Sequence, residues 1–276
     1  MIRQPAPSVL LHTLLAVLLL CVPAPFSHAG DGSSAGKAGA GKITIAAASD
    51  LRFALDEVVE NFRRQHPRAQ VEVVYGSSGK FLAQIANGAP FDLYFSADIA
   101  YPRELANRGL AGSEVRPYAT GRLVLWSLDP RLANTPLAEF PNKKIRKFAI
   151  ANPQHAPYGM RAQEALQHQG VWQALEPKLV FGENIAHAAQ FVDSGAADAG
   201  IVALSLVLSP AMKGKGAWTL VPADWHEPLE QGFVITRRAR DNALAQVFAD
   251  HMGTEPARAV LRRYGFLLPG GQGGGN

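Results

Sequence analysis

Small and hydroxyl-bearing residues recur at four points where an apolar run gives way to a helical pattern. The four junctions are Ala48-Ser49-Asp50, Gly76-Ser77-Ser78-Gly79, Ala156-Pro157-Tyr158-Gly159 and Glu183-Asn184-Ile185-Ala186. A helix start leaves backbone N–H groups unpaired and carries the positive end of the helix dipole, so it binds anions without a formal positive charge. Capping by Ser or Asn explains any single junction. For the four together, capping and an anion site stay open as alternatives, because spacing alone does not show that they converge.

Two histidines lie beside these junctions and raise the alternative of an enzyme. His155 and His187 would suit a Ser–His–Asp hydrolase. No G-x-S-x-G strand–turn–helix element accompanies them, and the sequence contains no H-x3-H pair that would suit a metal site. A hydrolase is therefore a remote alternative, and no catalytic residue, direct metal ligand or cofactor is predicted.

Short apolar runs alternate with helical patterns on both sides of the junctions. Strands are predicted over 43–48, 71–75, 91–95, 123–126, 147–150, 179–181, 199–203 and 233–236, and helices over 51–62, 81–85, 161–169, 185–194, 243–252 and 255–264. Alternating strands and helices indicate an α/β protein with mainly parallel sheets covered on both faces. Two such series in one chain predict two α/β lobes with a cleft between them.

The chain of 276 residues contains one cysteine, Cys21. A single thiol excludes an internal disulfide, a cysteine-based zinc site and an iron–sulfur cluster. Lipid modification of Cys21 is an alternative that Leu20 disfavours, because a small residue is expected before a modified cysteine.

The first 29 residues have the pattern of a cleaved secretory signal. Arg3 precedes an apolar run over 9–22 that is too short to span a bilayer, and small residues, Ser27 and Ala29, suit cleavage after Ala29. An uncleaved membrane anchor is the alternative. Cleavage predicts a thiol-free soluble protein of the periplasm, an oxidising compartment.

The charge pattern gives little indication of a polyanionic partner. The formal net charge is +4, and the densest basic run is Lys143-Lys144-Ile145-Arg146-Lys147. A nucleic-acid surface would show a clustered basic stripe with interleaved aromatic residues, which this sequence lacks. We therefore predict no nucleic-acid partner.

Several segments resemble one known family, the periplasmic molybdate-binding proteins of ABC importers. They are Lys42-Ile43-Thr44-Ile45-Ala46-Ala47-Ala48-Ser49, Tyr75-Gly76-Ser77-Ser78, Gly88-Ala89-Pro90-Phe91-Asp92-Leu93-Tyr94-Phe95-Ser96-Ala97-Asp98, Asn152-Pro153-Gln154-His155-Ala156-Pro157-Tyr158-Gly159 and Arg263-Tyr264-Gly265-Phe266. The resemblance implies a two-lobed type II periplasmic-binding fold and capture of molybdate or tungstate as a tetrahedral dianion. It also implies a monomer that delivers this ligand to an inner-membrane ABC permease.

The resemblance also implies which residues hold the oxyanion. Ser49 and Ser78 match positions that donate a side-chain O–H and a backbone N–H, and Ile185 matches one that donates only its backbone N–H. Tyr158 falls where the commonest family pattern has alanine, whereas Ala203 falls where it has a ligand tyrosine. The expectation is an exchange, in which Tyr158 supplies both its N–H and its phenol O–H.

Asp50 and Lys80 are expected to lie behind these ligand residues. Asp50 either turns away from the cleft and favours the helix dipole or forms an ion pair with Lys80, two residues past Ser78. The ligand residues themselves are neutral and would donate to every oxygen of the anion while accepting from none. A protonated anion such as hydrogen phosphate would then leave its O–H unpaired.

The resemblance places the two crossovers between lobes near Gly121–Leu123 and Gln231–Val234. Binding of another anion on the same fold, such as sulfate, phosphate or an organic acid, is the main alternative function. The predicted divisions are a signal peptide over 1–29, a flexible linker over 30–41, lobe I over 42–122 plus 234–269, lobe II over 123–233 and a flexible tail over 270–276.

Overall fold

A computed structural model describes residues 40–270, which form two five-stranded sheets. The predicted signal peptide lies outside the described residues, as does most of the predicted linker and of the predicted tail. Gly41, counted as linker in the prediction, is the first residue of the first strand. Within the described range, no helix is both long and apolar enough to cross a bilayer.

The first sheet has the strand order β2-β1-β3-β10-β4. Strands β1, β2 and β3 are parallel, and β10 runs antiparallel to both β3 and β4. Residues 45–48 of β1 are all apolar and buried, as expected for a strand with helices on both faces of its sheet. The strand bounds are β1 Gly41–Ala48, β2 Ala69–Gly76, β3 Leu93–Ser96, β4 Arg116–Gly121 and β10 Leu229–Ile235.

The second sheet repeats this plan with the order β7-β6-β8-β5-β9. Strand β6 is parallel to β7 and β8, whereas β5 runs antiparallel to β8 and β9. In both sheets an antiparallel strand lies beside the outermost strand. The bounds are β5 Leu123–Ser127, β6 Phe148–Ala151, β7 Leu179–Gly182, β8 Ala199–Ala203 and β9 Ala217–Leu220.

Ten α-helices in the described range cover the sheets. The first of them buries Ala54, Leu55, Val58, Val59 and Phe62, the positions that share one face at helical spacing. It follows a 3₁₀ turn over Ser49–Leu51. The helix bounds are α1 Arg52–Gln65, α2 Ser78–Ala86, α3 Ala100–Asn107, α4 Pro130–Ala133, α5 Pro157–His168, α6 Trp172–Leu175, α7 Ile185–Asp193, α8 Leu204–Val207, α9 Ala243–His251 and α10 Glu255–Arg263.

The chain passes between the two sheets twice. It leaves the first sheet at Arg122, between β4 and β5, which is where the sequence placed the first crossover. It returns between Leu220 and Leu229, upstream of the predicted Gln231–Val234. The predicted lobe II boundary at 233 is therefore wrong, because all of β10 pairs with β3 and β4 in the first sheet. We call the two sheets with their helices lobe I and lobe II.

Candidate functional site

The four junctions identified in the sequence meet at one small cavity between the lobes, with an empty volume of about 190 Å³. The 3₁₀ turn and the start of α2 come from lobe I, and the starts of α5 and α7 come from lobe II. It is far smaller than the groove of about 1,100 Å³ that borders it, so it suits a small ligand. Its lining consists of Ala48, Ser49, Asp50, Gly76, Ser77, Ser78, Ala97, Ala156, Pro157, Tyr158, Asn184 and Ile185.

Ser49 connects lobe I to the start of α7 in lobe II. Its side chain is almost fully buried, and Oγ donates to Asn184 Oδ1 at 3.0 Å and accepts from the Ala186 N–H at 3.2 Å. The Ser49 hydroxyl therefore already accepts from one N–H group of the kind that binds anions at a helix start.

Asn184 and Ile185 begin helix α7. Asn184 caps the helix by accepting from the His187 N–H at 3.0 Å. Ile185 is buried and lines the cavity next to this cap. An apolar side chain suits that position because the backbone N–H, and not the side chain, would contact an anion.

Ser78 begins helix α2 and is 1% exposed. Its Oγ accepts from the Ala97 N–H at 3.0 Å, which leaves the hydroxyl proton for a ligand in the cavity. The backbone carbonyl of Ser78 accepts from the buried Tyr94 hydroxyl at 2.7 Å. Both bonds tie the start of α2 to the chain around β3 and hold the Ser78 hydroxyl in place.

Hydrogen bonds to His155 connect the start of α2 to lobe II. Its carbonyl accepts from the Gly79 N–H at 2.9 Å and from Ser77 Oγ at 2.5 Å, and its Nδ1 lies 2.9 Å from the same Ser77 Oγ. A Cβ on Gly79 would lie only 2.7 Å from the His155 carbonyl oxygen, so this close approach requires glycine. Partial burial and the nearby charge of Lys80 lower the pKa of His155, which favours its neutral form.

Tyr158 lies in the first turn of α5, where two features leave its backbone N–H unoccupied. Pro157 at the first helical position has no N–H, and Ala156 before it has no side-chain acceptor with which to cap the helix. The Gly159 N–H is bonded to the Ala156 carbonyl at 2.9 Å. The Tyr158 N–H is therefore the first donor of this helix, on a residue that lines the cavity.

The phenol of Tyr158 has other partners than those expected. Its hydroxyl donates to Asp50 Oδ2 at 3.1 Å and accepts from Gln231 Nε2 at 3.1 Å, while Gln231 Nε2 donates to the same Asp50 oxygen at 2.8 Å. The single phenol proton thus goes to Asp50. The hypothesis that this O–H replaces a tyrosine contact missing at Ala203 does not fit this geometry, and Ala203 is outside the cavity lining in the described chain.

Asp50 also differs from both alternatives considered in the sequence. It neither turns away from the cleft nor pairs with Lys80: it is 1% exposed, lines the cavity and is bonded to two neutral side chains. Burial raises the pKa of Asp50 to about 6, although the hydrogen bonds from Gln231 and Tyr158 and the nearby backbone N–H groups act in the opposite direction.

Lys80 forms its ion pair with Glu183 of lobe II, at 2.9 Å between Nζ and Oε1. The predicted pair with Asp50 is wrong because Lys80 is about half exposed and pairs with Glu183, whereas Asp50 is buried and bonded to Tyr158 and Gln231. Lys80 lowers the pKa of the Glu183 carboxyl. Both side chains are about half exposed, so the pair contributes little to stability.

Gln231 is the residue of the site that sequence reasoning missed. It is fully buried in β10, and its Oε1 accepts from the Tyr118 hydroxyl of β4 at 2.6 Å. No local signal marked it, because Gln231 follows the charged Glu230 and lies outside the strand predicted over 233–236. A Cβ on Gly121, the last residue of β4, would lie 2.1 Å from the Tyr158 hydroxyl. Glycine at the crossover therefore makes room for the phenol.

A wider groove with an empty volume of about 1,100 Å³ borders the cavity and shares Gly76 and Asn184 with it. Arg52, His187 and Asp193 lie along this groove. His187 accepts from the Glu183 N–H at 3.3 Å and packs against the ring of Phe191. In residues 40–270, no group of three His, Cys, Asp or Glu side chains is arranged to hold a metal ion.

Comparison with known proteins agrees with this architecture. A family model described as bacterial extracellular solute-binding protein matches residues 43–267. The molybdate-binding protein ModA of Azotobacter vinelandii is 36% identical over 241 residues, which cover 87% of this chain and 95% of that protein. The chain belongs to the ModA family of bacterial extracellular solute-binding proteins. This membership confirms the resemblance seen in the sequence.

Two further relatives support the same conclusion. The molybdate-binding protein ModA of Rhodobacter capsulatus is 36% identical over 232 residues, covering 83% of this chain and 90% of that protein. The solved periplasmic molybdate-binding protein of Azotobacter vinelandii superposes with a TM-score of 0.77 at 35% identity, covering 82% of this chain and 99% of that one. The predicted two-lobed binding-protein fold is confirmed, and the family is one of binding proteins and not of enzymes.

Proposed function

We propose that the protein captures molybdate or tungstate between its two lobes and delivers the ion to an ABC permease. The observation that carries the proposal is the meeting of four element starts from both lobes at one small buried cavity. The names of the relatives in the ModA family indicate which oxyanion to expect.

The donors at the cavity are suited to a fully deprotonated tetrahedral anion. From lobe I, Ser78 would bind a ligand oxygen through its O–H, and Ser49 through its backbone N–H and, once its hydroxyl turns away from Asn184, through its O–H. From lobe II, Tyr158 and Ile185 would bind through their backbone N–H groups. Hydrogen bonds to a charged acceptor are about twice as strong as neutral ones, and they offset the cost of removing a dianion from water. Because the donors come from both lobes, the full set is available only when the lobes are closed, so the ligand favours closure.

The cellular setting follows from the same proposal. A cleaved signal peptide over 1–29 would release a monomeric protein into the periplasm, where an inner-membrane permease is the partner. A putative ABC transporter substrate-binding lipoprotein, YvgL of Bacillus subtilis, is 28% identical over 226 residues. A permease of the ABC class is therefore the partner we propose.

Calorimetric titration of the mature protein with molybdate, tungstate, sulfate and phosphate tests the ligand. We expect tight binding of molybdate and tungstate and much weaker binding of the other two. The Ser78→Ala variant should lose about 10- to 100-fold in molybdate affinity, the loss expected for one hydrogen bond to a charged group.

Ser127→Ala is a matched control for that variant. Ser127 is equally buried, and its hydroxyl also accepts a backbone N–H, that of Asp129 at 3.0 Å, but it lies in β5 away from the cavity. Tighter binding of sulfate or phosphate than of molybdate would replace the proposed ligand with another anion. Equal losses in the two variants would contradict the role given to Ser78.

A further inference from the structure

The carboxyl group of Asp50 has one satisfied oxygen and one unsatisfied oxygen at the cavity. Oδ2 accepts from both Tyr158 and Gln231. Oδ1 is buried and has no hydrogen-bond partner within residues 40–270. An unpaired buried oxygen is costly, so its presence in a side chain that lines a ligand cavity indicates that a ligand supplies the missing partner.

In residues 40–270, the side chains bonded to Asp50 are all uncharged. Arg122 interacts electrostatically with Tyr158, but its Nε donates to the Gly265 carbonyl at 2.9 Å. Tyr158 comes from α5 and Gln231 from β10, with Tyr118 of β4 behind it, and Ser205 of α8 donates to the Asp50 backbone carbonyl at 2.7 Å. Burial raises the pKa values of both phenols well above 10, so they stay protonated. The cavity lining of the described chain also contains no Lys, Arg or His. No cation is therefore present there to separate a carboxylate from an anionic ligand.

A carboxylate oxygen and a molybdate oxygen are both acceptors, and they repel one another unless a hydrogen lies between them. Molybdate at neutral pH brings no hydrogen. One proton on Asp50 removes the repulsion and turns Oδ1 into a donor, while Oδ2 keeps its two bonds.

Resting on the proposed function, we propose that Asp50 binds the oxyanion directly through Oδ1, with one proton taken from solvent for each dianion bound. The carboxylate gains the proton and becomes a neutral carboxyl group whose O–H donates to a ligand oxygen. No bond of the oxyanion is formed or broken, and the bound complex carries one negative charge less than the separate carboxylate and dianion.

The proposal has a defined pH dependence. The pKa of Asp50 in the free protein is about 6, and a bound dianion raises it further. Below that pH the proton is already present and affinity is flat. Above it, the proton must be taken up, so molybdate affinity falls about tenfold for each pH unit until the pKa of the complex is reached.

The test is calorimetric titration of molybdate at pH 5.5 to 8.5 in pairs of buffers that differ in ionisation enthalpy. We expect the wild-type protein to take up close to one proton per molybdate at pH 8 and about half a proton near pH 6. The Asp50→Asn variant is nearly isosteric, accepts the Tyr158 and Gln231 bonds through its amide oxygen and offers an N–H donor without a proton from solvent. It should bind molybdate with no proton uptake and with affinity independent of pH.

Several outcomes would contradict the proposal. Binding by the wild-type protein with neither proton uptake nor pH dependence would overturn it. Tight binding of phosphate without proton uptake would overturn it as well, since hydrogen phosphate would then donate to an ionised Asp50. Lack of molybdate binding by both proteins at every pH would refute the proposed function, and with it this inference. If the variant does not fold, the proton uptake and pH dependence of the wild-type protein still test whether Asp50 is protonated on binding.

Discussion

At the scale of single residues, the cavity combines neutral donors with one carboxyl group. The expectation of a site that only donates came from Ser49, Ser78 and backbone N–H groups. Asp50 changes this picture because an ionised Oδ1 would accept a hydrogen bond and a protonated one would donate it. Rejection of hydrogen phosphate therefore depends on the protonation of Asp50 and on the size of the cavity, and not on the donors alone.

Removal of the Tyr158 hydroxyl tests whether the phenol stabilises the fold through Asp50 or contacts the ligand directly. Because the phenol proton is donated to Asp50, Tyr158→Phe should leave molybdate affinity within about threefold of wild type while lowering the free energy of unfolding by about 1–2 kcal/mol through a lost buried hydrogen bond. Calorimetry and urea unfolding measure the two quantities. A loss of more than tenfold in affinity, with stability unchanged, would instead make the phenol a ligand contact.

The sequence allows the hydroxyl ligands to be predicted, but not the partners of Asp50. Ser49 and Ser78 lie at helix starts that the local pattern reveals. Tyr158 and Gln231 are 108 and 181 residues away from Asp50 along the chain, and only the packing of the lobes brings them to it. Lys80, the alternative partner suggested by its position near Ser78, instead pairs with Glu183, while Asp50 is buried.

At the scale of elements, the ligand cavity is lined by the starts of helices and not by their central turns. Helix α5 begins after Ala156 with Pro157 at its first position. No side chain caps this helix start, so the backbone N–H of Tyr158 stays available to a ligand. Most predicted helices and strands are present within a few residues, because their apolar spacing is strong. Strands β4 and β9 and helices α3, α4, α6 and α8 were not predicted. Strand β9 is largely exposed at a sheet edge, β4 contains polar residues and a proline, and α4, α6 and α8 are single turns of four residues.

Substitution of Gly79 tests the contact between the start of α2 and lobe II. In Gly79→Ala the new methyl group would collide with the His155 carbonyl, so the lobes cannot close fully on that side. We expect molybdate affinity to fall more than tenfold and the ligand-bound protein to show a larger radius of gyration in small-angle X-ray scattering.

Gly253→Ala provides the control for this substitution. A Cβ at Gly253 has its nearest neighbour, the Asp250 carbonyl oxygen, at 3.4 Å, and the residue lies away from the cleft. It should bind and scatter as the wild type does. A Gly79→Ala protein with unchanged affinity and dimensions would show that closure does not depend on this contact.

At the scale of the whole molecule, binding should depend little on long-range charge. The chain has a formal net charge of only +4, and the cavity lining in the described residues includes no cationic side chain. Raising sodium chloride from 50 to 500 mM shortens the screening length to about 4–5 Å, yet short hydrogen bonds to a buried ion are hardly screened. We expect the molybdate dissociation constant to rise less than about threefold, as measured by calorimetry at fixed pH.

Lys80→Met is the matched variant for the salt series. Its ion pair with Glu183 is about half exposed, and Lys80 is not part of the cavity lining in the described chain, so its loss should leave the salt dependence unchanged. A tenfold or greater weakening by salt in the wild type, abolished in Lys80→Met, would mean that the lysine attracts or holds the anion.

The fit between Gly121 and Tyr158 links the crossover to the ligand cavity, and it has a consequence for how such proteins diverge. An alanine at 121 would occupy the space of the phenol hydroxyl, and a small residue at 158 would leave that space empty. The new Cβ would also lie 2.6 Å from Gln231 Nε2. A small residue at 158 therefore restores the fit once the Gln231 amide shifts into the space that the phenol has left. Positions 121 and 158 should therefore vary as a compensating pair among relatives, glycine accompanying tyrosine and a larger residue accompanying alanine.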